Sequence, residues 1–161
     1  FNSLVASSRA YLLDNEWPSD DEFVNKLISF RLYIHSRLDR TRLVLTCLEH
    51  SFGHRESPEI TEKTTIEHVM PQTLSNWWRD ALGSSASDVH SRWLHTVGNL
   101  TLSGYNPELG NDPFPMKKEK LVDANFELTK KSIAVADKWD EQAIIARGKE
   151  LAQRALGIWK R

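Results

Sequence analysis

Apolar positions recur along this chain at two different periods, and the change of period marks its plan. Through most of its length the repeat is helical. Residues 2–14 read as one helix. Pro18-Ser19-Asp20-Asp21-Glu22 is a capping-box start to a second, whose Phe23, Leu27, Phe30 and Ile34 share one side. Thr41 to Ser51 reads as a third helix and Gly53 to Pro58 as loop. Leu74 to Leu82 is a fourth, stopped by Gly83, and Ser87 to His95 a fifth with Ser87 as its N-cap. After a stretch broken by Pro113 and Pro115, Asp140 to Trp159 reads as a long amphipathic helix with Ile144, Leu151, Ala155 and Ile158 facing inward.

Two short segments leave that period. Thr64-Thr65-Ile66-Glu67-His68-Val69 is brief and β-branched, hence a strand, and Leu100-Thr101-Leu102 is another. A two-stranded hairpin is marginal alone and has to be held by packed helices. The pattern therefore predicts an α+β, mostly α-helical fold, a helical scaffold carrying a two-stranded core. One domain is expected over 1–161: scaffold over 1–60, the strand-bearing core over 61–120 and a helical cover over 121–161. Beginning on Phe1, the chain reads as the C-terminal fragment of something longer.

Composition adjusts this picture. At 161 residues and 40% apolar, there is material for one globular core. A net charge of −1 means that no global basic field announces nucleic acid. Two local patches exist: Arg31 to Arg42 carries four Arg against Asp39, and Lys117-Lys118-Glu119-Lys120 is followed by Lys130-Lys131. Cys47 is the only cysteine, expected as a buried apolar residue, so a disulfide framework and a Cys-rich structural zinc are excluded within the chain. With no signal peptide and no apolar run near the length of a membrane span, the chain reads as soluble and intracellular, with no membrane partner. No H-E-x-x-H, G-x-x-x-x-G-K-[ST] or G-x-S-x-G occurs, so zincin, P-loop and α/β-hydrolase chemistry is set aside.

The candidate chemistry gathers at the two strands. Glu67 and His68 stand side by side near the end of the first, before Pro71. Asn99 precedes the second strand and Asn106-Pro107 follows it as an N-cap and N1 pair. Hydrolysing a phosphodiester needs an activated water, neutralisation of charge developing on the phosphate, and help for the leaving oxygen. A histidine can take the proton from water, and one divalent cation can serve the other two tasks. His68 is the candidate general base and Glu67 a metal ligand. Successive strand positions face opposite ways, so bringing both to one site needs a turn or bulge near Pro71. Asn106 is the second candidate ligand, a role that competes with its use as a helix cap. One carboxylate favours Mg²⁺ (or Mn²⁺) held largely by waters and substrate phosphate. Asn99 is expected to tie the strands together and orient His68. Asn111 and His95 stand in reserve, and Lys117 with Lys118 is a candidate phosphate contact. His35, His50, His54 and His90 receive no role. The tryptophans are expected in the core, with one ring of Trp77-Trp78 able to stack on a base. Strand, loop, strand and helix with His, an acid and Asn converging is the layout of a ββα-metal (HNH, or His-Me finger) nuclease.

The residues also resemble a particular family. Glu67-His68-Val69-Met70-Pro71-Gln72, then Leu94-His95-Thr96-Val97-Gly98-Asn99-Leu100-Thr101-Leu102, then Tyr105 to Asn111 with Phe114 and Lys117, is similar to the C-terminal HNH-type domain of GmrSD-like restriction proteins. Trp139 to Arg147 and Ile158-Trp159 extend the likeness over essentially the whole chain. The first run also resembles the Asp-His-Ile-Val-Pro-Gln pattern of HNH domains in RNA-guided nucleases, with Glu67 in place of that Asp. The resemblance implies a bacterial, cytoplasmic effector of anti-phage defence that cuts or nicks phage or modified DNA. It also implies an N-terminal ParB-like, nucleotide-hydrolysing domain in the same protein. GmrSD-type and SspE-type branches both remain open. The competing readings are a catalytically silent DNA-binding or interaction module on the same scaffold, and an RNase or toxin-like nuclease.

Overall fold

The computed structural model describes residues 18–53, 59–61, 63–104, 109–122 and 125–160, with Ser7, Ala10 and Tyr11. Most of the helix expected over 2–14, and the loop from His54 to Pro58, lie outside the described residues; Ser7, Ala10 and Tyr11 are helical. The described residues form helices α1 (Asp20–Ser29), α2 (Leu38–His50), α3 (Asn76–Leu82), α4 (Ala86–Trp93), α5 (Phe114–Val122), α6 (Glu127–Lys130) and α7 (Glu141–Ile158). Strands β1 (Thr65–His68) and β2 (Leu100–Ser103) complete an α+β, mostly helical fold.

The capping box at the head of α1 is present: Glu22 donates its N–H to Ser19 Oγ, and Ser19 donates its own to Glu22 Oε2 at 2.9 Å. The helix then stops at Ser29, short of the expected Ile34. Residues 30–34 form an extended strap, because the N–H groups of Leu32 and Tyr33 both go to the His95 carbonyl, at 2.9 and 3.1 Å. Thr41 Oγ1 donates to the Leu32 carbonyl at 2.8 Å, closing the strap from its other side. Leu32 and Tyr33 are therefore the buried residues, while Phe30 and Ile34, expected inside, are 55% and 39% exposed.

Three further expectations are corrected. Ser87 does not cap α4; a 3-10 turn over Gly83–Ser85 runs into that helix and leaves Ser87 in its first turn. Pro113 and Pro115 do not leave the following segment irregular. Pro115 lies in the first turn of α5, where a missing N–H costs no helical bond. Cys47 is half-buried rather than fully enclosed. Gly83 does end α3, in the left-handed region at φ 69°. Asp140 caps α7 by accepting from the Ala143 N–H at 3.0 Å, and Ile144, Leu151 and Ala155 point inward as expected.

β1 and β2 pair antiparallel, Glu67 opposite Thr101 and His68 opposite Leu100. The ribbon lies at the seam of two apolar clusters. One gathers Val69, Met70, Trp78, Trp93, Phe114 and Trp139 from the loop after β1, from α3, α4 and α5, and from the segment before α7. The other gathers Leu32, Tyr33, Leu45, Leu100, Leu102 and Leu151 from the strap, α2, β2 and α7. None of the described helices is long and apolar enough to cross a membrane.

Candidate active site

His68 is the last residue of β1, and four hydrogen bonds, three of them to Asn99, fix the chain as it leaves the strand. Lys117, reaching in from α5, donates from Nζ to the His68 carbonyl at 3.0 Å. The Val69 N–H donates to the Asn99 carbonyl at 3.0 Å. Asn99 Oδ1 accepts from the Met70 N–H at 2.7 Å, and its Nδ2 donates to the Met70 carbonyl at 2.9 Å. The same amide reaches two more partners: Nδ2 donates to the Leu94 carbonyl at 2.9 Å and Oδ1 accepts from Trp139 Nε1 at 3.1 Å. Asn99 is fully buried, and all four hydrogen-bonding positions of its side chain are used. It ties the loop after β1 to the turn before β2.

The turn carrying Asn99 is itself held from α7. Arg147 is 3% exposed and donates to the carbonyls of Val97, Gly98, Leu100 and Leu128, and to Ser132 Oγ. A buried guanidinium is tolerated because each donor finds an oxygen. Burial lowers its pKa only to about 10, so it stays charged. The sequence reading missed Arg147, although the signal was present: it lies three residues after Ile144 and four before Leu151, inside the apolar stripe.

The imidazole of His68 is packed rather than free. Its Nε2 lies 3.2 Å from His95 Nδ1, so one ring donates and the other accepts. The Tyr33 ring meets His68 edge-on at 4.6 Å and stacks on His95 at 5.4 Å; His35 meets Tyr33 edge-on at 5.2 Å. His95 was a reserve candidate and stands here as the immediate neighbour of His68. Tyr33 was missed because the period placed it on a helix face. His90, given no role, anchors the loop with Nε2 at 3.0 Å from the Pro71 carbonyl.

The electrostatics around His68 are one-sided. Burial, and then the positive charges of His95, Lys117, His35 and His90, lower its pKa from 6.5 to about 3. His95 is also held below its ordinary value, by burial first and then by Arg31, His35 and His90. Among the described residues no carboxylate opposes either shift.

Glu67 lies on the opposite face of the ribbon. The pairing runs through Glu67 and His68 in unbroken register, with no bulge to turn both side chains to one side. Its Oε1 accepts from Thr65 Oγ1, two residues back on the same face, at 2.9 Å. Burial raises the Glu67 pKa against that bond and against the nearby Lys117 charge. Lys117 is buried and lowered to about 8, chiefly by desolvation, with Glu67 drawing it back up. Lys117 and Lys118, the candidate phosphate contacts, both donate inward, to the His68 and Ala136 carbonyls. Asn111 is exposed in the loop before α5. Asn106 and its N-cap alternative lie outside the described residues.

Among the described residues no three His, Cys, Asp or Glu side chains cluster to hold a metal. One carboxylate supplemented by amide oxygen, water and substrate is nevertheless a donor set suited to a hard, largely hydrated cation.

A family model matches residues 17–154, that of the C-terminal domain of GmrSD restriction endonucleases. The chain belongs to this family. No curated protein and no solved structure matches it. As a GmrSD C-terminal domain it is a nuclease domain of restriction type, with DNA as its substrate and divalent-metal dependence as the general rule for such nucleases. Its helical scaffold around a two-stranded ribbon fits an HNH-type fold.

Proposed function

We propose that this GmrSD C-terminal domain is an HNH-type, metal-dependent DNA endonuclease in which His68 is the general base. The observation that supports it best is the fixing of His68 at the end of β1, its imidazole packed against Tyr33 and His95. Proximity and orientation are worth most where the base has few alternative positions.

Glu67 and Asn106 are the residues that would hold Mg²⁺ or Mn²⁺; the strand register sets Glu67 on the face away from His68, so sharing one phosphate with it requires the carboxylate to reach around the end of β1. The cation would supply charge neutralisation at the phosphate and at the leaving oxygen. His68, neutral at physiological pH, accepts the proton of the attacking water as its oxygen bonds to phosphorus and the ester oxygen departs. A pKa of about 3 describes the free site; an arriving phosphate brings negative charge among His95, Lys117, His35 and His90 and restores basicity to His68. Asn99 and Lys117 position His68 through its backbone. One such site makes one cut, so a single copy would nick DNA and two would break it.

The wider setting belongs to the same proposal: a single domain with its core over 61–120, acting in the bacterial cytoplasm on phage or modified DNA. An N-terminal ParB-like nucleotide-hydrolysing domain of the same protein would govern it. The low basicity of His68 favours one alternative, a silent DNA-binding module on this scaffold. A supercoiled-plasmid assay with Mg²⁺, Mn²⁺ or EDTA separates the two. Metal-dependent open circles, reduced about 10²–10⁴-fold in His68→Ala, are expected. Undiminished cleavage in a folded His68→Ala protein would sink the proposal, and absence of cleavage by wild type on modified and unmodified DNA would leave the silent module.

A further inference from the structure

The strap that presses Tyr33 onto the two histidines carries a set of cations that the fold does not use. Its inward residues, Leu32 and Tyr33, are buried and bound to the His95 carbonyl. Its remaining positions, Phe30, Arg31, Ile34, His35, Ser36, Arg37 and, into α2, Leu38 and Arg40, are all exposed. Among the described residues Arg31, Arg37 and Arg40 make no side-chain hydrogen bond or ion pair, whereas neighbouring Arg42 is committed to the Thr61 and Thr64 carbonyls. The acids elsewhere that pair with cations, half-buried Asp112 and Glu141 among them, belong to other elements. Asp39 is the single carboxylate between residues 30 and 42.

Position makes this set informative. Tyr33 touches both His68 and His95, and Arg31 and His35 flank it in sequence. His35 also lies edge-on to the Tyr33 ring at 5.2 Å. The Arg31 charge is felt at His95. In a chain whose net charge is −1, guanidinium groups without a partner among the described residues thus follow one another along the strap and the start of α2, beginning with Arg31, whose charge acts on His95. A polyanion is the ligand such an arrangement fits: guanidinium forks match phosphate oxygens, and their side chains are not committed elsewhere. Exposed Phe30, Ile34 and Leu38 alternate with the cations and offer apolar contact to sugar or base edges between phosphates.

We infer that the strap and the start of α2, through Arg31, Arg37 and Arg40, are the DNA-docking surface of this domain, taking phosphates that flank the one presented to His68. The inference rests on the nuclease reading for its orientation, but its content is a binding surface and it is tested without cleavage. Lys117 and Lys118, the more obvious basic run, are turned inward and leave this role to the strap.

The test uses a fluorescently labelled DNA duplex in EDTA, where no metal-dependent cutting occurs, with anisotropy read from 50 to 300 mM salt. The variant is R31Q/R37Q/R40Q, and a charge-matched control removes exposed Lys130, Lys149 and Lys160 as glutamines. Each lost phosphate contact lowers the slope of log K against log salt by about 0.9, so the strap triple should flatten it by about 2 to 3 and weaken binding more than tenfold at 100 mM salt. The control should keep most of the slope. Equal slopes for wild type and the strap triple, equal losses in both triples, or no DNA binding by wild type would each overturn the inference. Tighter binding of a matched RNA would overturn the choice of DNA. Plasmid cleavage distinguishes the two levels: intact cutting with an unchanged slope rejects the strap alone, while cutting insensitive to His68→Ala rejects the nuclease site alone.

Discussion

His68 Nε2 and His95 Nδ1 lie 3.2 Å apart although 27 positions separate the residues in sequence. Two imidazoles at that distance cannot both be protonated without strong repulsion, and the strap seals them with Tyr33. The folded domain therefore keeps His68 neutral where an unfolded chain would charge it.

That difference has a measurable sign. Between about 3, the folded value, and 6.5, the ordinary one, the unfolded chain binds a proton that folded His68 does not. Its contribution to stability is complete above 6.5 and is lost as pH falls through that window, by up to about 1.4 kcal/mol per pH unit. Urea midpoints from pH 7 down to pH 5 should fall for wild type. A His68→Gln variant should fall less steeply, and parallel curves would refute the assignment.

Asn99→Ala should be among the most damaging substitutions in the loop. It strips partners from the Met70 N–H, Trp139 Nε1 and the carbonyls of Met70 and Leu94, in a position with no exposure. Each buried group left unpaired costs about 1–3 kcal/mol, so a loss of at least about 3 kcal/mol is expected by chemical denaturation. A loss under about 1 kcal/mol would mean that water or a shifted loop replaces the amide.

Gly98→Ala tests the contact between α7 and the turn carrying Asn99. A Cβ there would stand 2.2 Å from the Ile144 carbonyl oxygen, a backbone atom that no side-chain rotation can move. About 1–3 kcal/mol of destabilisation is expected, with plasmid cleavage reduced further than the folded fraction explains. Cleavage falling only in step with the folded fraction would uncouple the turn from His68.

Arg147→Met keeps an unbranched apolar stem, shorter than the arginine, and removes its donors. The carbonyls of Val97, Gly98, Leu100 and Leu128 lose a shared partner, so a loss of about 3 kcal/mol or more is expected in thermal or urea unfolding. A neutral result would show that the buried charge costs as much as its bonds return.

Much of this was legible because periodicity and caps report local preference. Ser19 with Glu22, Gly83, Asp140 and the β-branched run at Thr65 announced their elements directly. The strap was not legible: Phe30 and Ile34 kept a helical spacing from Phe23 and Leu27, while the bonds that end the helix come from His95, far along the chain. The pair Glu67 and His68 was found from their adjacency; that no bulge at the strand end offsets the opposed faces is what only the register reveals. Asn99 could be placed because it borders the second strand. Tyr33 and Arg147 could not be assigned from local pattern, since their value lies in what they touch across the fold.

The hold of Arg147 and Ile144 on the turn at 97–99 also orders events in time. A ribosome delivers the chain from its first residue, so His68, His95 and Asn99 all emerge before the helix that locks them. A nascent chain ending before Arg147 would carry every proposed catalytic side chain and no fixed arrangement of them. On the proposed nuclease reading, cutting ability would thus be withheld until synthesis has passed that arginine.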